Sequence, residues 1–266
     1  MTDITALLTA IDGLGPPFRV ARLSPLATDA FDTDEFNTPA CEQLFRGELL
    51  CDPASGEARR MVELHARSRG MEAGRHAGSL VFQRYCHRVC GVAVAAWVLH
   101  GVALDLRAAG VSIRFTDGSP DLLILHSPRA VDDATPEQVL TATVDRHLRP
   151  LAQAISAETG PGMGNLIGNI AAGFAGGFRA LADRTDAGLT THQVREHAET
   201  LLSARPELRR GGDFRVLSGA AGPRLFYDRR SCCHWYAAPD GRYCSWCSRL
   251  SQDERTQRFG EAMTRG

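Results

Sequence analysis

The sequence predicts an α+β fold with a helix-rich body, short antiparallel hairpins and a small cysteine-bearing lobe at the C-terminal end. Two observations carry this reading. Helical periodicity recurs through most of the first two hundred residues, and two β-rich stretches show hairpin signals. No internal repeat or low-complexity segment is visible, so the elements belong to ordinary globular architecture rather than to a solenoid.

Taken in order, residues 2–12 and 38–50 predict short helices, separated by a loop holding Pro16, Pro17, Pro25 and several aspartates. "EARRMVELHARSR" predicts a polar helix. From Ser79 to about Leu106 the pattern is helical and increasingly apolar, which makes it the expected central helix; Gly91 and Gly101 mark points of close packing or breaks. "VSIRFTDGSPDLLILHS" predicts a hairpin turning at Asp117-Gly118-Ser119-Pro120. Residues 135–158 predict a helix with Thr135 as cap and Pro136 in the first turn. "GNLIGNIAAGFAGGFRALADR" predicts another, whose small residues let a neighbour approach, and residues 189–204 a third. "DFRVLSGAAGPRLFYDRR" then predicts a second hairpin that delivers the chain to the cysteines.

At 266 residues the chain is long enough to bury a substantial core without crosslinks. The expected division is a helix-rich body, 1–210, that binds substrate, and a C-terminal region, 211–266, that carries the cysteines. The start "MTDITALLTAIDGLGPP" lacks a basic region and a long apolar run, so a secretory signal is not expected and the protein is placed in the cytoplasm. Its most apolar run, "VCGVAVAAWVL" (89–99), is far short of the ~20 residues a membrane helix needs, so no integral membrane segment is expected. The formal net charge of −1 argues against nucleic-acid binding. The charge is uneven, however. Residues 205–266 hold 12 arginines against 7 acidic residues, about +5, leaving about −6 for the rest. All 30 basic residues are arginine, a usage that composition alone explains, although arginine also suits bidentate oxyanion recognition.

Residues 229–249, "RRSCCHWYAAPDGRYCSWCSR", place adjacent Cys232 and Cys233 ten residues ahead of Cys244 and Cys247. In a reducing compartment such a group is more readily metal-binding or catalytic than a disulfide framework. Cys244 and Cys247 sit about a turn apart and can face one metal centre. Neighbouring side chains in extended backbone point to opposite sides, so Cys232 and Cys233 converge only if the backbone bends. Structural zinc sites usually insert two to four residues between ligands, while a two-iron cluster spreads its four thiolates over a larger object. Three chemistries stay open on spacing alone: an iron-sulfur centre, structural zinc in a binding module, and a Cys-x-x-Cys pair cycling between thiol and disulfide. The last lacks its usual βαβ context.

This Cys-Cys-x10-Cys-x2-Cys group resembles the hallmark of the ferric-siderophore reductase family of FhuF type, and "GNLIGNIAAGF" is similar to an Asn-containing helix start in that family. The resemblance implies a [2Fe-2S] cluster ligated by Cys232, Cys233, Cys244 and Cys247. It also implies one-electron reduction of an Fe(III)-siderophore, with a hydroxamate type as the first expectation, and release of Fe(II). Since no flavin or nicotinamide fingerprint is present, the electron donor is expected to be a separate protein, such as a ferredoxin or a flavin reductase. Two departures stand out: Ser248 where the family often has Pro, and His234 where it tends to have an apolar residue. Both leave the ligands intact and bear on hydrogen bonding at the cluster.

Around the ligands, His234, Arg230 and Trp246 are expected behind the cluster, with His234 able to couple a proton to reduction. Arg229, Arg242, Trp235, Asn165 and Asn169 are expected at the chelate, in a cleft between the helical body and the cysteine lobe. Trp235, Tyr236, Tyr243 and Trp246 are also accounted for by plain packing of a small loop-rich lobe. Cys86 and Cys90, one helical turn apart, read as core residues, and Cys41 and Cys51 have no partner pattern. The Gly-x-Gly-x-x-x-Gly from Gly162 lacks the preceding strand of a nucleotide loop, and no hydrolase motif occurs.

Overall fold

The computed structural model describes residues 2–23, 42–184, 187–220 and 222–264. The fold is α+β, as the periodicity predicts. In chain order its principal elements begin with α1 (Ile4–Asp12), β1 (Val20–Arg22), β2 (Glu42–Arg46), α2 (Gly47–Leu50), α3 (Glu57–Ser68) and α4 (Arg75–His100). Then come β3 (Ala103–Leu104), β4 (Val111–Thr116), β5 (Ser119–Leu125), β6 (Ala130–Val131), α5 (Pro136–Leu140), α6 (Arg149–Thr159), α7 (Met163–Ala182), α8 (Thr191–Ser203) and α9 (Pro206–Arg209). The hairpin β7 (Gly212–Gly219) and β8 (Gly222–Arg229) and helix α10 (Gln252–Thr264) complete the order.

The expected central helix is α4. From Ala77 to Ala96 most of its side chains are buried, because α1, α3, α6, α7 and the four-stranded sheet all pack on it. Its partner α7 approaches closely. A Cβ on Gly177 would lie 3.1 Å from the Gly91 Cα, and one on Gly173 would lie 2.8 Å from the Cys86 Cβ, so small residues set the crossing. Gly91 also receives the Pro17 carbonyl, 2.5 Å from where its Cβ would be. Phe82, Val89, Phe174 and Phe178 are fully buried in this layer, each contributing about 1.5–3 kcal/mol of hydrophobic stabilisation. Cys86 and Cys90 are core residues, as expected; burial pushes both thiols well up, which keeps them protonated. The helix ends at His100, because Gly101 adopts a left-handed φ of 69°.

The sheet runs β1-β5-β4-β2, with β1 parallel to β5 and the remaining pairs antiparallel. The β4–β5 turn falls where the sequence places it, with positive φ at Asp117 and Gly118. One expectation is corrected. Residues 42–46 form strand β2, not helix, because they pair in register with β4 from Glu42↔Thr116 to Arg46↔Ser112. Only Gly47–Leu50 is helical, and residues 38–41, including Cys41, lie outside the described residues. A second refinement concerns 135–158. Thr135 caps the helix as expected, in a capping box with Gln138, but Thr141–Leu148 widens into a π-helix before α6. Pro150 lacks an N–H and crowds the preceding turn, which favours that wider register.

The β7–β8 hairpin lies against α7 and α8 on one side and α10 on the other; Phe226 stacks on Phe259 with centroids 4.4 Å apart. Leu225, Phe226, Tyr227 and Trp246 join the same buried cluster as α4 and α7, which fixes the hairpin's exit, and so the cysteines, against the body.

Candidate metal centre and adjoining cleft

The loop after β8 is built residue by residue to bring its thiols together. Arg230 N–H donates to the Gly211 carbonyl at 2.8 Å, closing the hairpin. Ser231 then packs directly on α7 at Gly168, where an added Cβ would lie 2.5 Å from the Ser231 Cβ. Asn165, one turn earlier, donates from Nδ2 to the Cys232 carbonyl at 2.6 Å. His234 adopts a left-handed φ of 67°, unusual for a residue with a side chain, and turns the chain directly after the adjacent cysteines. Gly241 turns the chain back with no room for a Cβ, which would sit 2.5 Å from the Ala238 carbonyl oxygen. Successive turns, Cys247 N–H to Cys244 C=O at 3.0 Å and Leu250 N–H to Cys247 C=O at 3.1 Å, present the second pair.

The four thiols meet in a ring: Cys232 contacts Cys233 and Cys247, and Cys244 contacts the same two. Hydrogen bonds from Cys232 and Cys244 pull Cys233 and Cys247 well below the usual thiol range, and the two donors are pushed up in return. Backbone N–H groups supplement this. His234 N–H points at Cys232 Sγ, 3.4 Å away, while Trp235 and Arg249 serve Cys233 and Cys247. Cys233 and Cys247 are buried, and Cys232 and Cys244 are partly exposed. Among the described residues no group of three or more His, Cys, Asp or Glu is arranged to hold a metal ion.

Behind the ring lies Arg229, 1% exposed, whose positive charge favours the thiolate forms of Cys233 and Cys244. Its Nη2 donates to Asn169 Oδ1 at 2.7 Å and to Ser231 Oγ at 3.3 Å, while Nε and Nη1 are buried without partners. A buried guanidinium with two unsatisfied donors calls for concentrated negative charge nearby.

The other expected site residues divide clearly. Asn169 is 0% exposed; its amide holds Ser79 and Arg229, so Asn169 and Arg229 support the loop from within and do not reach a solute. Asn165, accepting from Ser79 Oγ, acts from the same side. Arg230 turns away to pair with Asp213. Trp246 is packed between Tyr227, His87 and the Arg179 guanidinium 4.4 Å over its ring. His234 stands edge-on to His76 at 5.0 Å, and burial, then the neighbouring His76 and Arg75, push its pKa below the ordinary value. Arg242 lies over the Trp235 ring at 5.1 Å.

A cleft of about 380 Å³ opens between α4 and the cysteine loop. Cys233, Cys244, Trp235 and Trp246 form one wall. The other is Gln83, Arg84, His87 and Arg88 of α4, which sequence reasoning missed. The signal was present in "VFQRYCHRVC": polar residues four apart, 83/87 and 84/88, inside an otherwise apolar helix. Gln83 donates to His87 Nε2 at 2.9 Å, and burial, then Arg229, push His87 down to about 4, so it is neutral. A second cleft, about 790 Å³, lies on the far side of Trp235, Cys244 and Trp246, against Gln257, Arg258 and Glu261 of α10.

Fold and site together define an α+β protein with a four-thiol centre at the edge of a basic cleft. The family model described as "Ferric iron reductase FhuF-like transporter" matches residues 79–211, half of the chain, and the chain belongs to that family. The matched region covers most of α4 through α9 and stops short of the cysteines. No curated protein matches. Among solved structures, aerobactin synthetase IucC from a hypervirulent pathotype of Klebsiella pneumoniae is similar at 15% identity and a TM-score of 0.41. The similarity covers 64% of this chain and 33% of that one, so this chain spans about a third of that structure, and the likeness assigns neither fold nor activity. No described helix is long and apolar enough to cross a membrane.

Proposed function

We propose that this protein is a cytoplasmic ferric-siderophore reductase in which Cys232, Cys233, Cys244 and Cys247 hold a [2Fe-2S] cluster. The observation that carries the reading is the thiol ring with backbone N–H donors on three of its sulfurs and the unsatisfied Arg229 guanidinium behind it. That donor set fits a compact anionic cluster whose charge is spread over several sulfurs. When bound, the cluster supplies one electron at a time. Arg229 favours its more negative, reduced state, Trp246 limits water on one side, and Asn165 and Ser231 fix the loop. The chelate sits in the cleft lined by Trp235 and α4. One electron taken from a separate donor protein, such as a ferredoxin or flavin reductase, passes to Fe(III) and gives Fe(II). Hydroxamate oxygens are hard ligands that hold Fe(II) far less well, so the iron is released and the chelator stays intact. In this division of labour residues 1–210 bind the chelate and 211–266 carry the cluster.

The test is the visible and EPR spectrum of anaerobically purified protein before and after dithionite. A brown protein that bleaches and gives an S = 1/2 signal, lost in Cys232→Ser or Cys247→Ser and kept in Cys86→Ala, supports the reading; ferrous release from a ferric trihydroxamate then follows as the activity assay. A colourless protein carrying one zinc and no iron after reconstitution overturns it in favour of a structural zinc module.

A further inference from the structure

We infer that the cleft beside the thiols selects ferric chelates of net negative charge, and that Arg84 and Arg88 read that charge. The inference rests on the proposed reduction of a ferric chelate but concerns binding alone. Arg84 and Arg88 lie four residues apart on one face of α4 and both line the cleft, opposite Cys233 and Cys244. Each guanidinium is anchored by a single contact: Arg84 Nη1 to Ser119 Oγ at 3.4 Å, and Arg88 Nε to the Pro120 carbonyl at 3.0 Å. The rest of each fork is uncommitted. Among the described residues neither has a carboxylate within ion-pair distance, whereas Arg60, Arg149, Arg205 and Arg224 are each paired with an acid.

The acids close enough to influence the pair are taken. Asp121, which acts on Arg88, is held by Arg114 through two bonds of 2.6 and 3.2 Å, and Asp240, which acts on Arg84, is paired with Arg69 at 3.3 Å. No lining residue is a carboxylate, and the negative charge that faces the pair is Cys233, which acts on Arg84 from the opposite wall. Burial weighs against both positive charges, and for Arg84 so does repulsion from Arg69 and Arg88; an anion in the cleft relieves both effects. The surrounding walls, Pro16, Pro17, Leu80, Pro120 and the two tryptophans, are of low polarity and focus the field rather than screen it. Two planar forks four residues apart suit the outward oxygens of carboxylate or catecholate groups, which they can meet bidentately. Within the hydroxamate type, a chelate that also carries carboxylates offers them charge, a neutral tris-hydroxamate complex offers none, and a chelate with a pendant ammonium is repelled.

The experiment uses gallium(III), which matches the ferric ion in charge and coordination and is not reduced under the conditions of the assay. Anaerobically purified full-length protein is titrated with three gallium complexes: an anionic tris-catecholate, a neutral tris-hydroxamate and a tris-hydroxamate bearing a protonated amine. Binding is followed by calorimetry at low and high salt. The anionic complex should bind at least about tenfold tighter than the neutral one, and the cationic one weakest, with the preference shrinking at high salt. Arg84→Gln or Arg88→Gln should weaken the anionic complex about tenfold and leave the neutral one within about twofold; Arg88→Lys should recover part of the loss. Should one variant fail to fold, the other gives the same readout. Equal affinities, a cationic preference, or an anionic preference untouched in both glutamine variants would overturn the inference. A colourless protein that still selects the anionic complex refutes the reductase reading and leaves this one standing; a brown, active protein indifferent to charge does the reverse.

Discussion

Replacing Gly168 by alanine tests how the cysteine loop is docked. A Cβ at that position would sit 2.5 Å from the Ser231 Cβ, against roughly 3.5–4.0 Å for carbons in contact, so the strand exit must retreat by roughly 1 Å. Overpacking of this kind costs about 1–3 kcal/mol. Alanine returns about 1 kcal/mol of helix propensity, which leaves a net destabilisation of about 0–2 kcal/mol. The control is on the same helix. Gly164 has nothing within 4 Å of an added Cβ, so Gly164→Ala should stabilise by up to about 1 kcal/mol. The two variants should therefore differ by about 2 kcal/mol, roughly 4–8 °C in melting temperature. Because Ser231 precedes Cys232, the displacement also opens the thiol ring. Thermal denaturation and the rate of thiol modification read the two effects separately. If Gly168→Ala melts with Gly164→Ala and its thiols react no faster than in the parent protein, Ser231 does not dock as described.

Asn165→Ala removes the donor to the Cys232 carbonyl and should lower stability by about 1–3 kcal/mol, read as a fall in the urea midpoint with an unchanged slope. At His234, the left-handed backbone predicts that valine destabilises by at least about 1–2 kcal/mol while glycine is tolerated; equal melting temperatures for the two variants would contradict a strained bend there. Burial pushes His65 and His147 down to about 4. His147 is held between the Leu106 carbonyl and the Tyr85 hydroxyl, at 2.7 Å each. The unfolded chain therefore takes up these protons first. The stabilisation is complete above the ordinary histidine pKa of about 6.5 and is lost as pH falls from there to 4, by roughly 2 kcal/mol for each residue at pH 5. Urea unfolding at pH 7 and pH 5 measures this, and equal stabilities would refute it.

Much of the architecture was legible in the sequence because it is local. Asp117-Gly118 announces its own turn, Thr135 and Gln138 their own cap, and the small residues of α7 the close approach of α4. The strand at 42–46 was not, since its conformation is settled by pairing with β4 some 70 residues away. At the site, the spacing of Cys232, Cys233, Cys244 and Cys247 named the thiols, but not the left-handed His234 that turns the chain behind the first pair. Nor could it show Asn165, Asn169 and Gly168 as the surface on which the loop is docked. Arg229, expected at the chelate, is buried behind the thiols, because sequence registers the charge of an arginine and not its depth. The sequence by itself determined most of the helices, the two hairpins and the thiol set, each a matter of residues within a few positions of one another. Only the tertiary structure decided that Gln83, Arg84, His87 and Arg88 face those thiols across a cleft, because that wall exists only where the hairpin carries its loop back onto α4.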